Sequence, residues 1–473
     1  MTPGQTNMLS ILAERFGPKS VITDAGAIEP WLTDWRGRFH GASPAILAPG
    51  STEEVAAMVA LAAEHGVPLT PQGGNTSMVG GATPPEDGSA LILSLRRMNR
   101  LRSISAEAGL AVAEAGMILA NLHASADGVG MRFPLTLGSR GSCTIGGLIA
   151  TNAGGTQVLR FGTMRALVAG VEAVLPDGSV HDGLGALKKD NRGYSIDQLL
   201  VGSEGTLGII TAASLRLVPA LTGRAVAWLG LKDPQAALDV LRMLEGQTKA
   251  IEGFEIVPGD SLALVLEHIP GTRSPLDGQH PWHALIEATA SSDRDEPPAA
   301  LLERLLAPAL ERGLVKDAVI AASEAQAEAF WRIRDSISEA ERASGPATQH
   351  DISVPVADMP RFMVEAAKEV EAAFPGVRAS AFGHLGDGNV HFHVRAGSRA
   401  SVDWYEREAP AITRLVDDLV TAASGSISAE HGIGQMKKAE LERLSSPSRL
   451  FALKAIKHAL DPQDLMNPGK LIG

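Results

Sequence analysis

The chain has 473 residues, 45% of them hydrophobic and 20% charged, with a net charge of −12. That length calls for two or three domains around a real apolar core, and the acidic surplus without any Lys/Arg-rich block argues against a nucleic-acid partner. The single cysteine, Cys143, rules out an intramolecular disulfide and a Cys-based zinc cluster, and no apolar run approaches the ~18 residues that span a bilayer.

The first residues, MTPGQTNMLSILAERFG, lack the basic stretch and long apolar run of a signal peptide, so a cytoplasmic protein is expected. From residue 45 short strands and helices alternate. AILAP is a brief apolar run. STEEVAAMVALAAEHG has helical spacing, with Ser51 and Glu54 at capping-box distance and Gly66 where the helix should stop. VPLT, LILSL and LAVAEAG read as strands, and LANLHASADG reads as a helix. LVAGVEAVLPDGSVHD reads as a hairpin turning on Asp177-Gly178. Past Pro219 the texture changes to an α+β pattern poorer in glycine. Strands are expected near 224–231, 250–257, 283–289 and 316–321, with helices near 233–245 and 296–312. A long helix near 323–343, strands near 350–356 and 377–383, and a strand at NVHFHV follow. From about 426 the chain reads as helical and ends in MNPGK; residues 271–281, GTRSPLDGQHP, are the best candidate for a mobile loop.

Two glycine-rich segments stand out in the first half, PQGGNTSMVGGA (71–82) and PLTLGSRGSCTIGG (134–147), the second continuing to TNAGG (151–155). Glycine at this density lets backbone turn sharply and present N–H groups to anionic oxygens. Neither segment is a Walker A loop or a G-x-G-x-x-G site. One such segment alone is as readily a pair of surface turns; two in one domain fit a dinucleotide pyrophosphate better.

PQGGNTSMVGG, GSRGSCTIGGLIATNAGG, LLVGSEGTLGIIT and the terminal MNPGK resemble the FAD-binding domain of the vanillyl-alcohol oxidase/p-cresol methylhydroxylase superfamily. Within it the similarity is to the branch of FAD-dependent D-2-hydroxyacid dehydrogenases, which includes D-2-hydroxyglutarate and D-lactate dehydrogenases and the glycolate oxidase flavin subunit. It runs from about residue 20 to the end. The resemblance implies an α+β protein in three segments: a two-subdomain FAD-binding domain over 1–220, an α+β, ferredoxin-like substrate cap over 221–425, and a helical segment over 426–473 that returns to the FAD domain. It implies that Pro71, Gly73, Gly74, Asn75, Thr76, Gly80 and Gly81 wrap the pyrophosphate. Pro134, Gly138, Ser139, Ser142, Cys143, Gly146, Gly147, Asn152 and Gly154 would line the flavin side. Gly205 and Ile210 would lie beside the adenine or ribityl part, and Asn467 would close the isoalloxazine pocket. No histidine occupies the pyrophosphate loop, so FAD is expected to bind non-covalently.

A second constellation is GHLGDGNVHFHV (383–394), joined by SAEHGIG (428–434). On a strand, His391 and His393 face the same way, and His384 can fold back across the Gly-rich turn. Imidazoles with a carboxylate are ordinary ligands of Zn²⁺ or a similar ion, which would polarise a substrate hydroxyl. The pattern HLGDGNxH plus SAEHG of D-2-hydroxyglutarate dehydrogenases implies His384, His391 and Glu430 as metal ligands and His431 as the base.

AFWRIRDSISE (329–339) reads as an amphipathic helix with Phe330, Ile333, Ile337 and Ala340 as its stripe. Arg334 and Ser338, four apart, share a face beside it, and Arg suits a carboxylate because its fork makes two parallel bonds. Taken alone, Arg334 could equally be a solvated helix cation. The resemblance places the family's substrate-binding Arg and Thr on Arg334 and Ser338. Two departures stand at substrate positions: Gln349 replaces a Lys that grips a distal carboxylate, and His393 replaces an Asn. The expected reaction is oxidation of a small D-2-hydroxy acid to the 2-oxo acid by hydride transfer to flavin N5, with electrons passed to an electron-transfer flavoprotein or quinone. A homodimer is compatible with the sequence. Alternatives are non-redox flavin chemistry of the alkyl-dihydroxyacetone-phosphate synthase kind and a non-catalytic FAD-binding subunit.

Overall fold

A computed structural model describes residues 1–397 and 403–472. The chain divides into two compact units: Met1–Gly155 with Gly162–Ala220 and Glu430–Gly473, and Thr156–Phe161 with Leu221–Ala429.

The first unit contains two main sheets. Val21–Ile22, Ile46–Leu47, Leu91–Ser94 and Leu69–Gln72 lie side by side in that order, the first pair antiparallel and the others parallel. All four residues of Leu91–Ser94 are buried, as a strand covered on both faces requires. The helix Thr52–His65 starts on Ser51, whose hydroxyl accepts the Glu54 N–H, and stops at left-handed Gly66. The capping box forms only by half. The Glu54 carboxylate instead accepts the Gly50 N–H at 2.9 Å and the Ser20 hydroxyl at 3.3 Å, tying the helix start to a neighbouring strand. The second sheet is antiparallel, ordered Leu101–Ser105, Leu110–Glu114, Ile209–Arg216, Val168–Val174 and Val180–Asp182. Its last hairpin turns at Gly178 (φ 83°), with the Asp177 carboxylate accepting the Ser179 N–H.

The second unit is built on one seven-stranded antiparallel sheet. Its order is Asp317–Ile320, Gly223–Leu231, Trp282–Ala290, Ile251–Pro258, Arg378–His384, Asn389–Arg395, Ala347–Ser353. Helices Pro234–Glu245, Pro298–Glu311, Met359–Ala373 and Ala409–Ala422 cover one face, burying Leu241, Leu302, Phe362 and Ile412. Helices Gly259–His268, Glu324–Asp335 and Ile337–Ala343 cover part of the other, around Trp228, Val265, Phe330 and Phe382. Alternation along Asn389–Arg395 sends Val390, Phe392 and Val394 into the first core. His391, His393 and Arg395 therefore face the other way. The short segment Thr156–Phe161 joins this unit because Leu159 packs on Gly386 and Arg160 pairs with the buried Glu252 at 2.6 Å.

The single helix expected near 323–343 is two, Glu324–Asp335 and Ile337–Ala343, meeting at Ser336 with φ −84° and ψ −3°. Serine competes for backbone hydrogen bonds and favours such breaks. The apolar stripe survives: Phe330, Ile333, Ile337 and Ala340 are all buried. Arg334 and Ser338, however, do not share one regular helical face. Among the described residues no helix is long and apolar enough to cross a membrane.

Candidate active site

In the first unit the two glycine-rich segments meet. A Cβ at Gly73 would strike the Thr144 hydroxyl, and one at Gly74 the Ser142 carbonyl, so only hydrogen fits at both positions. Asn75 takes a left-handed conformation (φ 53°) and its Nδ2 donates to the Thr33 carbonyl at 2.9 Å. Thr76 and Gly81 are half-buried, and Gly80 lies against Phe39 and Gln435. Gly205 backs onto the Pro71 ring. Asn467 closes the arrangement: its Nδ2 donates to the carbonyls of Gly81 at 2.9 Å and Glu204 at 2.8 Å, and its N–H to Leu69 at 2.8 Å.

In the second segment the Ser139 carbonyl accepts the N–H groups of Ser142 and Cys143, leaving Gly138 and Ser142 exposed. Gly146 presses on Ala115, and Gly147 lies by Thr144. Burial pushes the Cys143 thiol up, which makes it a protonated packing residue. The helix Ile145–Ala150 leads to left-handed Asn152 and buried Gly154; Pro134 and Ile210 are buried in the same unit. Among the described residues, three buried atoms of these segments lack hydrogen-bond partners, Gln72 Oε1, Thr144 Oγ1 and Asn467 Oδ1. Loops crowded at Gly73, Gly74 and Gly146, with unpartnered buried polar atoms, fit a large polar cofactor.

Glu204, itself left-handed at φ 52°, holds the returning segment to this unit. Its carboxylate accepts the N–H groups of Ile433 and Gly434, each at 2.7 Å. Burial pushes its pKa up against those two bonds. Glu430 and His431 lie immediately before this clasp, in the first unit.

The remaining expected residues belong to the second unit, and strand register brings several together. Glu255 lies opposite His384; His391 is flanked by Phe382 and Asp351, and His393 by Ser380 and Gln349. The fully buried Glu255 carboxylate accepts Arg334 Nε at 2.7 Å through one oxygen and His384 Nδ1 at 2.5 Å through the other. Burial works to raise the Glu255 pKa, but Arg334 and His384 together hold it below the ordinary carboxylate range. A terminal Arg334 nitrogen lies 3.2 Å from His384 Nε2, and the guanidinium sits 5.7 Å from the Phe382 ring. The His384 and His391 rings are 5.4 Å apart. Burial, Arg334 and His384 push His391 well below its ordinary pKa, so it is neutral.

The structure thus assembles Arg334, His384 and His391, with His393 next along the strand. Gln349 lies beside them, its Nε2 donating to the Ser338 carbonyl at 3.4 Å. His384 is thus held at both ring nitrogens, Nδ1 on the Glu255 carboxylate and Nε2 beside the Arg334 guanidinium, while neighbouring His391 is unprotonated. Sequence reasoning missed Glu255, Asp351 and Glu204. For Glu255 the only available signal was the pair of acidic residues, Glu252 and Glu255, inside the apolar run IEGFEIVP. Asp351, buried and bonded by Asn389 Nδ2 at 2.9 Å, carried none.

Glycine loops with unpartnered buried polar atoms in one unit, and a buried Arg–His–Glu cluster on the sheet of the other, are parts that a flavoprotein oxidoreductase requires. Residues 43–183 match the family described as FAD binding domain, and 222–471 that described as FAD linked oxidases, C-terminal domain. The chain is 36% identical over 465 residues to the mitochondrial D-2-hydroxyglutarate dehydrogenase of Arabidopsis thaliana, covering 98% of this chain and 81% of that one. It is 37% identical over 450 residues to D-2-hydroxyglutarate dehydrogenase of Xanthomonas citri pv. viticola, covering 95% and 93%. Among solved structures, alkyldihydroxyacetonephosphate synthase superposes with a TM-score of 0.73 at 17% identity over 99% of this chain and 85% of that one. For p-cresol methylhydroxylase with substrate bound, the TM-score is 0.69 at 13% identity over 99% and 97%. These two establish the fold of the vanillyl-alcohol oxidase/p-cresol methylhydroxylase type, and the fold alone. The chain belongs to the family of FAD-dependent D-2-hydroxyacid dehydrogenases.

Proposed function

We propose that this chain oxidises a D-2-hydroxy acid of the D-2-hydroxyglutarate or D-lactate class to the 2-oxo acid, with residues 1–220 and 426–473 holding FAD and 221–425 receiving the acid. The observation that carries this reading is the Glu255-held pair of Arg334 and His384 beside neutral His391. The bound FAD supplies hydride acceptance at N5, and a divalent ion, zinc by its donor set, held by His384, His391 and Glu430, supplies polarisation of the hydroxyl. Arg334 binds the carboxylate through its terminal nitrogens, its Nε being committed to Glu255. His431 takes the hydroxyl proton as the hydride leaves the same carbon.

Ser338, Gln349 and His393 receive the rest of the acid. Glutamine at 349 brings no positive charge, so a second carboxylate is held less tightly there than a lysine would hold it. An electron-transfer flavoprotein or quinone would take up the electrons, and the cytoplasm is the proposed location. His431→Ala is the test of the base: anaerobic flavin reduction by the acid should slow by roughly 10²–10⁴-fold with FAD content unchanged. A near-normal rate would remove His431 from that role.

A further inference from the structure

Glu341 is fully buried, and the chemistry described so far does not use it. It lies on Ile337–Ala343, three residues past Ser338 and therefore on the same side of that helix. Its carboxylate meets Arg395 Nε at 2.9 Å. The contact is a pairing of charges: among the described residues neither Glu341 oxygen takes part in a hydrogen bond, nor does Arg395 Nε. The arginine is fixed from its other side. One terminal nitrogen donates to the Ser344 hydroxyl at 3.4 Å, and that hydroxyl donates to the Glu341 carbonyl at 2.8 Å. A buried carboxylate offers several lone pairs to donors, and leaving them empty is costly. Burial pushes the Glu341 pKa up to about 6, against the pull of Arg395.

Strand register puts this pair one step beyond the residues proposed to receive the rest of the acid. Arg395 follows His393 by two positions and faces the same way, about 7 Å further along the strand. His393 is flanked by Gln349 and Ser380, and Arg395 by Ala347 and Arg378. Ala347 brings only a methyl group to its rung. Ser380 and the fully buried Ser261 join their hydroxyls at 2.8 Å. An amide, two serines and a mutually neutralising ion pair make this stretch polar without net charge. Three kinds of substrate tail differ in what they bring to it. A methyl end leaves both Glu341 oxygens empty. A second carboxylate sets acceptors against acceptors, beside an arginine that is already neutralised. Hydroxyl groups supply the missing donors and carry no charge.

We propose that Glu341, held by Arg395, accepts hydrogen bonds from hydroxyl groups on the substrate's tail, so that the enzyme selects D-2-hydroxy acids with a hydroxylated, uncharged tail over those ending in a methyl group or a second carboxylate. The inference rests on the assignment of this unit to the acid. A wild-type flavin that no D-2-hydroxy acid reduces would refute that assignment. A flavin reduced best by an acid with the wrong tail would refute only the role of Glu341.

The test is anaerobic reduction of the bound flavin by two sets of acids, each of one chain length. The shorter set is D-erythronate, D-2-hydroxybutyrate and D-malate; the longer is D-ribonate, D-2-hydroxyvalerate and D-2-hydroxyglutarate. In at least one set the polyhydroxy acid should reduce wild-type flavin about tenfold or more faster, at limiting concentration, than its methyl-ended and dicarboxylate counterparts. Glu341→Leu removes the acceptor and should bring the polyhydroxy and methyl-ended acids of that set to within about twofold, the loss falling on Kd rather than on the limiting rate. Glu341→Gln releases Arg395 and should shift the ratio about tenfold towards the dicarboxylate. A glutamate that merely supports the fold would slow every acid by one factor and leave the ratios unchanged. That pattern, or a wild-type preference for the methyl-ended or dicarboxylate acids in both sets, overturns the proposal. Where neither variant folds, the wild-type ranking decides.

Discussion

Glu255 orders two functional side chains with one carboxylate, and its replacement separates stability from chemistry. In Glu255→Gln the buried Arg334 loses its counter-charge, so unfolding free energy should fall by about 3–5 kcal/mol. On the proposed metal assignment, affinity for zinc should fall by about 10–100-fold, because the His384 tautomer is no longer fixed. FAD content should not change. Denaturant titration and metal titration check the two arms; unaltered metal affinity would make Glu255 only a structural ion-pair partner. Lys470 yields a pH dependence with a definite sign. Its pKa in the folded apoprotein is about 8, below the ordinary 10.5, so the unfolded chain binds more protons between those values. Apoprotein stability should therefore rise as pH climbs from about 8 to 10.5, and Lys470→Met should flatten that rise. Thermal melts across the window check it. At this scale the sequence was only partly legible. His384 and His391 were recognisable because histidines cluster around the Gly-Asp-Gly turn, whereas Arg334 was singled out only by the family resemblance. Glu255 was not, since its importance lies in burial and register, which no local pattern records.

Elements were easier to read than partnerships between them. Period-two alternation located the strand bearing His391 and His393, and period 3.6 located the buried stripe from Phe330 to Ala340. Neither period could reveal that the helix breaks at Ser336, because the apolar spacing continues through the break. Nor could it place Glu255 opposite His384, 129 residues away, which follows from sheet order alone. The clasp of Glu204 on Ile433 and Gly434 is another such pairing, 229 and 230 residues apart. Glu204→Gln leaves one N–H facing an amide rather than a carboxylate oxygen, so the protein should lose about 1.5–3 kcal/mol. The backbone amides of 433–435 should also exchange faster with solvent, as hydrogen-exchange mass spectrometry would record. Unchanged protection of that segment would mean the clasp adds nothing to it.

At the scale of the whole molecule, family and cofactor follow from long motifs spread along both units, while the acid depends on a few side chains. Gln349 and His393 depart from the D-2-hydroxyglutarate pattern, and they lie one register step from the Arg334–His384–His391 cluster. On the proposed assignment the second unit therefore sets the choice among D-2-hydroxy acids. The most direct test is anaerobic reduction of the bound flavin by D-2-hydroxyglutarate, D-lactate, D-malate and D-mandelate and by their L-enantiomers, with and without a chelator. The flavin should bleach with at least one D-acid and with no L-acid, more slowly after chelation and again at the original rate once zinc is restored. A flavin that stays oxidised in the presence of every D-2-hydroxy acid would contradict the account.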